Sequence, residues 1–93
     1  MAEIKRTYYE SGELKSECFE INGKKEGEYK NYLKHGQLQQ SCFYVDNKEN
    51  GECKFYHSNG QLSTCCTYIN GRRKGEYKCY KKNGELNFKL YID

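Results

Sequence analysis

Residues Gly27–Asn50 read GEYKNYLKHGQLQQSCFYVDNKEN. The next stretch, GECKFYHSNGQLSTCCTYINGRRK from Gly51 to Lys74, follows the same plan without a gap. GEYKCYKKNGELNFKLYID, from Gly75 to Asp93, starts it again, and Glu3–Glu26 is a worn first copy. Gly12, Gly36, Gly60 and Gly84 stand 24 residues apart; so do Leu14, Leu38, Leu62 and Leu86, and Tyr8, Tyr32, Tyr56 and Tyr80. A fixed period of this size marks an array in which each unit buries its face only against its neighbours. The chain divides into one domain, 1–93, with repeats at 3–26, 27–50, 51–74 and 75–93.

Glycine and asparagine punctuate each unit. Ser11-Gly12, His35-Gly36, Asn59-Gly60 and Asn83-Gly84 end one half-repeat; Asn22-Gly23, Asp46-Asn47 and Asn70-Gly71 end the other. Such pairs tolerate the positive φ that tight hairpins need. Between them lie short runs rich in Tyr, Phe, Ile, Val, Thr and Cys, with no helical periodicity. The fold class expected is all-β: a single-layer antiparallel meander of four β-hairpin repeats, open and either twisted or curled. Strands are predicted at 4–9, 14–21, 27–33, 38–45, 51–57, 62–69, 75–81 and 86–92. If both kinds of turn are three-residue loops, Tyr32 lies opposite Leu38. The Tyr8/Tyr32/Tyr56/Tyr80 and leucine ladders then share a face with Cys18, Cys42, Cys66 and Leu90. The other face carries Tyr29, Tyr77, Phe19, Phe43, Tyr91, Ile21, Val45 and Ile69. A two-residue turn would slip the register and regroup these sets.

Only 35% of the residues are hydrophobic, ten are tyrosine and none is proline, which suits an open sheet better than a compact globule. The net charge is +3. Residues 1–46 carry seven basic and eight acidic side chains (7 − 8 = −1), and residues 47–93 nine and five (9 − 5 = +4). The excess gathers at Arg72, Arg73, Lys74, Lys78, Lys81 and Lys82. Nucleic-acid binders are usually far more basic, so no nucleic-acid partner is expected. No apolar run reaches the roughly 20 residues of a membrane span, and MAEIKRTYYESGEL lacks the apolar segment of a secretory signal. A cytoplasmic location is the expectation.

Six cysteines would suggest a disulfide framework in a secreted chain. Cys18, Cys42 and Cys66 share one repeat position, however, and Leu90 fills the fourth. Equivalent strands of successive repeats lie about 9.5 Å apart, beyond the roughly 7 Å limit of a disulfide. Bridges along that ladder are not expected, and the position reads as a small apolar site filled by free cysteine. Cys53 occupies the place of Tyr29 and Tyr77, and Cys65 and Cys66 point to opposite faces. With no CxxC and no paired histidines, neither a metal nor any other cofactor is expected.

The unit G-E-[YC]-K-x-Y-x-x-x-G-[QE]-L, followed by an apolar strand and N-G-[KR]-[KR]-x-G, resembles the bacterial MORN-repeat variant of YwqK-type, antitoxin-like proteins. The likeness is strong at Gly27–Leu38, Gly51–Leu62 and Gly75–Leu86. It weakens in the first copy, where Glu3 replaces the leading glycine and Lys5 the aromatic. Asn47 replaces the second-turn glycine. The resemblance implies a rod-like array of hairpins with a non-enzymatic role in holding protein partners, self-association included. It also implies a contact with anionic phospholipid headgroups for some members.

The residues agree that chemistry is not the destination. His35 and His57 have no histidine at equivalent positions in other copies and read as solvated turn residues. Glu28, Glu52 and Glu76 recur beside Lys30, Lys54 and Lys78, as surface ion pairs would. The expected function is a scaffold for another protein, antitoxin-like or self-associating through a sheet face or edge. The candidate contact residues are Tyr29, Tyr32, Tyr56, Tyr77, Tyr80 and Phe43. The edges near Ile4–Tyr9 and Phe88–Ile92 expose unpaired backbone groups, with Lys89 guarding the second. The alternative is binding to anionic lipid through the six basic residues of the third-repeat loop and the last repeat.

Overall fold

In the computed structural model, residues 1–93 form one antiparallel sheet and no helix. Its strands are β1 (Ala2–Tyr8), β2 (Leu14–Ile21), β3 (Lys24–Tyr32), β4 (Leu38–Val45), β5 (Lys48–Glu49), β6 (Gly51–Tyr56), β7 (Leu62–Ile69), β8 (Arg72–Tyr80) and β9 (Leu86–Ile92). They run across the sheet in chain order, with the two-residue β5 pairing only with β4. The extents are 40 × 33 × 13 Å, and only four residues are buried, so the sheet has one layer and no second layer to cover it.

Two kinds of turn build it. In the first, Leu33 N–H donates to Gln37 O at 2.8 Å and Gly36 N–H to Leu33 O at 2.8 Å, enclosing Lys34-His35-Gly36. The loops at Gly12, Gly60 and Gly84 repeat this bonding. These are the expected three-residue loops. The second kind differs from expectation: Ile21 pairs with Lys24, Val45 with Lys48 and Ile69 with Arg72, leaving two-residue turns. Asn22 (φ 51) and Gly23 (φ 82) both sit in the left-handed region, as a type I′ turn requires. Asp46 and Asn47 do the same at φ 50 and 71. Asparagine tolerates this conformation better than most side chains, which is how copy two dispenses with its glycine.

Bulges then decide the faces. Tyr32 pairs with Leu38, as expected, but Asn31 pairs with Gln40 and Tyr29 with Cys42. Gln39 is the extra residue, and it turns Cys42 away from Leu38. The expected grouping is therefore corrected: the cysteine ladder shares a face with Tyr29 and Tyr77. Phe19 and Phe43 share the opposite face with the Tyr32/Leu38 ladder.

A second bulge follows each leading glycine. Cys18 pairs with Tyr29 and Glu20 with Lys25, so Phe19 faces two residues too many around Gly27 (φ 86). Gly51 occupies the same place at φ 121, where a Cβ would lie 3.4 Å from the Phe43 Cβ.

The repeats are stitched at both ends. Tyr9 Oη donates to Tyr32 O at 2.6 Å, and His57 Nε2 bonds Tyr80 O at 2.8 Å. His57 is thus a half-buried fastener between repeats, not a solvated turn residue. At the other end, Asn47 N–H donates to Lys25 O at 3.0 Å and Gly71 N–H to Glu49 O at 2.8 Å.

Gly51→Ala is expected to destabilise the chain by about 1–3 kcal/mol, because alanine is strained at this positive φ. Urea unfolding of the two proteins measures it; an unchanged midpoint would contradict the bulge assignment.

Candidate protein-binding surface

The two faces differ in what they hide. On the cysteine face, one row crosses the sheet at a single height: Lys5, Cys18, Tyr29, Cys42, Cys53, Cys66, Tyr77 and Leu90. All four buried residues, Cys18, Cys42, Cys53 and Cys66, lie in it. Tyr44, Phe55, Tyr68 and Tyr77 pack over the last three. Cys42 and Cys53 form a disulfide, which corrects the reading of Cys42 as a free thiol. The bridge joins neighbouring strands, not the Cys18/Cys42/Cys66 ladder, whose members stay too far apart to bond.

Cations cap this face. Lys25 Nζ sits 5.5 Å from the Tyr29 ring centre and 5.4 Å from that of Tyr44. Two repeats later, Arg73 stands 5.0 Å from Tyr77 and 6.0 Å from Tyr68, and its Nε donates to Tyr68 Oη at 3.2 Å. Each such cation is worth about 0.5–1 kcal/mol at an exposed site.

The opposite face shows its apolar side chains. A row there pairs Ile4 with Phe19, then Glu28 with Phe43, Glu52 with Thr67 and Glu76 with Tyr91. Phe19 is 39%, Phe43 43% and Tyr91 73% exposed. Ile21, Val45 and Ile69, two residues further along their strands, are exposed as well. The glycine bulges make this possible, since Gly27 and Gly51 leave open the space beside Phe19 and Phe43. The glutamates of this row pair with lysines of the next, Glu28–Lys30, Glu52–Lys54 and Glu76–Lys78, at 3.5, 3.5 and 3.4 Å.

The candidate contact residues are divided between the faces. Tyr32, Tyr56, Tyr80 and Phe43 lie on the phenylalanine face. Tyr29 and Tyr77 lie on the cysteine face, within its packing: Tyr29 meets Tyr44 edge-on at 6.0 Å, and Tyr77 stacks on Phe88 at 6.4 Å. Phe19, Ile21, Val45, Ile69 and Tyr91 are exposed on the same face as Phe43. Gly27 and Gly51, the leading glycines of the second and third repeats, mark the places of Phe19 and Phe43.

The six basic residues do not converge. Arg72, Lys74 and Lys78 lie on the phenylalanine face, Arg73 on the other, and Lys81 and Lys82 at the far loop. Lys78 is drawn up above its ordinary pKa by Glu76, its ion-pair partner.

The 24-residue hairpin unit is matched by a known family. The chain belongs to the MORN repeat variant family. Residues 4–19, 25–46 and 49–70 match it. MORN repeats suggest a repeat scaffold, often in binding, and the family is generally non-enzymatic. No curated protein matches the chain. No helix is long and apolar enough to cross a membrane. The third matched MORN segment, 49–70, contains Cys53 and Cys66, so the buried row is built on family positions.

Every resolved pKa shift in this MORN array is upward. Burial raises Cys18, Cys66 and Cys65 above 9.0, and Tyr44 and Tyr77 above 10.0. The folded state therefore holds protons that the unfolded chain releases. This stabilisation is complete below the ordinary values and is lost as pH rises through the raised ones. The melting temperature is expected to fall steadily from about pH 9 upward. Thermal scans from neutral to alkaline pH check this, and a flat or rising profile would contradict it.

Proposed function

We propose that the chain is a non-enzymatic scaffold that holds another protein against its phenylalanine face. The observation that carries this is the row of exposed apolar side chains at Phe19, Phe43 and Tyr91, flanked by Ile21, Val45 and Ile69. Several large apolar side chains exposed on one face of a sheet, interleaved with Glu28, Glu52 and Glu76, offer a partner both apolar and charged contacts. The cysteine face spends its aromatics on its own packing, so it has less to offer a partner. The Glu–Lys pairs interleaved with the apolar residues add charged contacts to that face.

A toxin-like protein, neutralised by having its surface covered, is the specific partner that the family resemblance implies. A second copy of the chain is the other. The anionic-lipid reading finds less support, because its six basic residues occupy both faces and both ends of the last repeat.

The test compares full-length wild type with Phe43→Glu in affinity capture, with light scattering on the same samples. Phe43 is a central aromatic, so its loss is expected to weaken capture at least tenfold, as for a hot spot of about 2 kcal/mol. Its exposure should leave the melting temperature within a few degrees. Equal capture by the two proteins would refute the assignment of this face. A dimer in the wild type that Phe43→Glu abolishes would name the partner as a second copy.

A further inference from the structure

The seam in the middle of the sheet joins the second repeat to the third. Here β4 pairs with β5 at Val45–Lys48 and Tyr44–Glu49 and with β6 at Ser41–Lys54 and Gln40–Phe55, the ladder being interrupted at the Gly51 bulge between them. The Cys42–Cys53 disulfide lies at that seam, with Cα atoms 4.1 Å apart. It cross-links the second repeat to the third.

Cys66 lies directly opposite Cys53 on β7. Three cysteines thus occupy consecutive strands at one height, with Cys53 in the middle. Paired residues of adjacent antiparallel strands have Cα atoms about 4.5–5.5 Å apart, within the roughly 4.4–6.8 Å that a disulfide spans. Thiol–disulfide exchange proceeds by attack of a thiolate on one sulfur while the other departs. Such displacement needs the incoming sulfur on the side away from the leaving one, and the row puts Cys66 there. The other thiols lack this position. Tyr29 separates Cys18 from Cys42, Cys65 points to the opposite face, and Cys79 lies in the neighbouring row, paired with Thr64. Cys53 is wholly buried, so a soluble thiol has no path to it.

We propose that Cys53 is shared between two partners, and that the disulfide migrates from Cys42–Cys53 to Cys53–Cys66 and back. The Cys66 thiolate attacks Cys53 Sγ, forming the Cys53–Cys66 bond as the Cys42–Cys53 bond breaks. The electron pair leaves on Cys42 Sγ, which takes up a proton in place of the one Cys66 lost. Nothing is oxidised or reduced overall. One isomer fastens two repeats together; the other places the link inside the β6–β7 hairpin and frees the seam. Burial raises the Cys66 thiol, so exchange is slow near neutrality and accelerates with pH.

The test is disulfide mapping on the oxidised full-length chain. The protein is held folded at mildly alkaline pH, quenched in acid, alkylated and digested without reductant; Lys48 and Lys54 separate the three cysteines. Both linkages are expected in wild type, reached about tenfold faster per pH unit below the thiol pKa. Cys18, Cys65 and Cys79 should be alkylated throughout. Cys66→Ser should show Cys42–Cys53 alone, with slower amide exchange in β4 and β6 than wild type. Cys53 bonded only to Cys42 in wild type would overturn the proposal. So would links to Cys18 or Cys79, which would mean scrambling through unfolding, or a Cys53–Cys42 fraction that Cys66→Ser leaves unchanged.

Discussion

A sheet one layer thick has nothing to pack against except its own neighbouring strands. The row from Cys18 through Cys42, Cys53 and Cys66 to Tyr77 is what supplies a core under that constraint. Cysteine suits it because the side chain is small, apolar enough to bury and narrow enough to stand at strand spacing. The tyrosines around it complete the cover, and Lys25 and Arg73 lie over their rings. All the deep burial is on this one face, so the other face is left to solvent or to a partner.

The bulges connect that division to function. Gly27 and Gly51 each sit at a bulge and remove a Cβ where an aromatic of the preceding strand, Phe19 or Phe43, comes closest. A side chain at Gly51 would press on Phe43. The same bulge thus shapes the sheet and sets the contact row in place. Hydrogen bonds from Tyr9 and His57 to the next repeat's backbone, and from Asn47 and Gly71 to the preceding one, tie the array together at both ends of the strands. Stability is then local and additive, as in other repeat arrays.

Much of this was legible in the residues. The 24-residue period, the turn positions and nine of the strand starts or ends follow from glycine and asparagine placement. The three-residue loop at Lys34-His35-Gly36 and the Tyr32–Leu38 pairing were also readable. The faces were not. A bulge is one extra residue with no compositional mark, and Gln39 is an ordinary strand residue, so nothing announced that Cys42 would turn away from Leu38. The Cys42–Cys53 bridge escaped for a related reason: the repeat drew attention to equivalent cysteines, whereas bonding depends on adjacent strands. The exposure of Phe19 and Phe43 on one face was hidden for the same reason, because the faces depend on the bulges.

Native-state amide hydrogen exchange, read strand by strand on the oxidised chain, tests the central claim most directly. Protection should be greatest around Cys42, Cys53 and Cys66 and fall off towards β1 and β9, since each strand is held only by its neighbours. Equal protection from β1 to β9, lost in one global step, would show a shared core that a single-layer array does not possess.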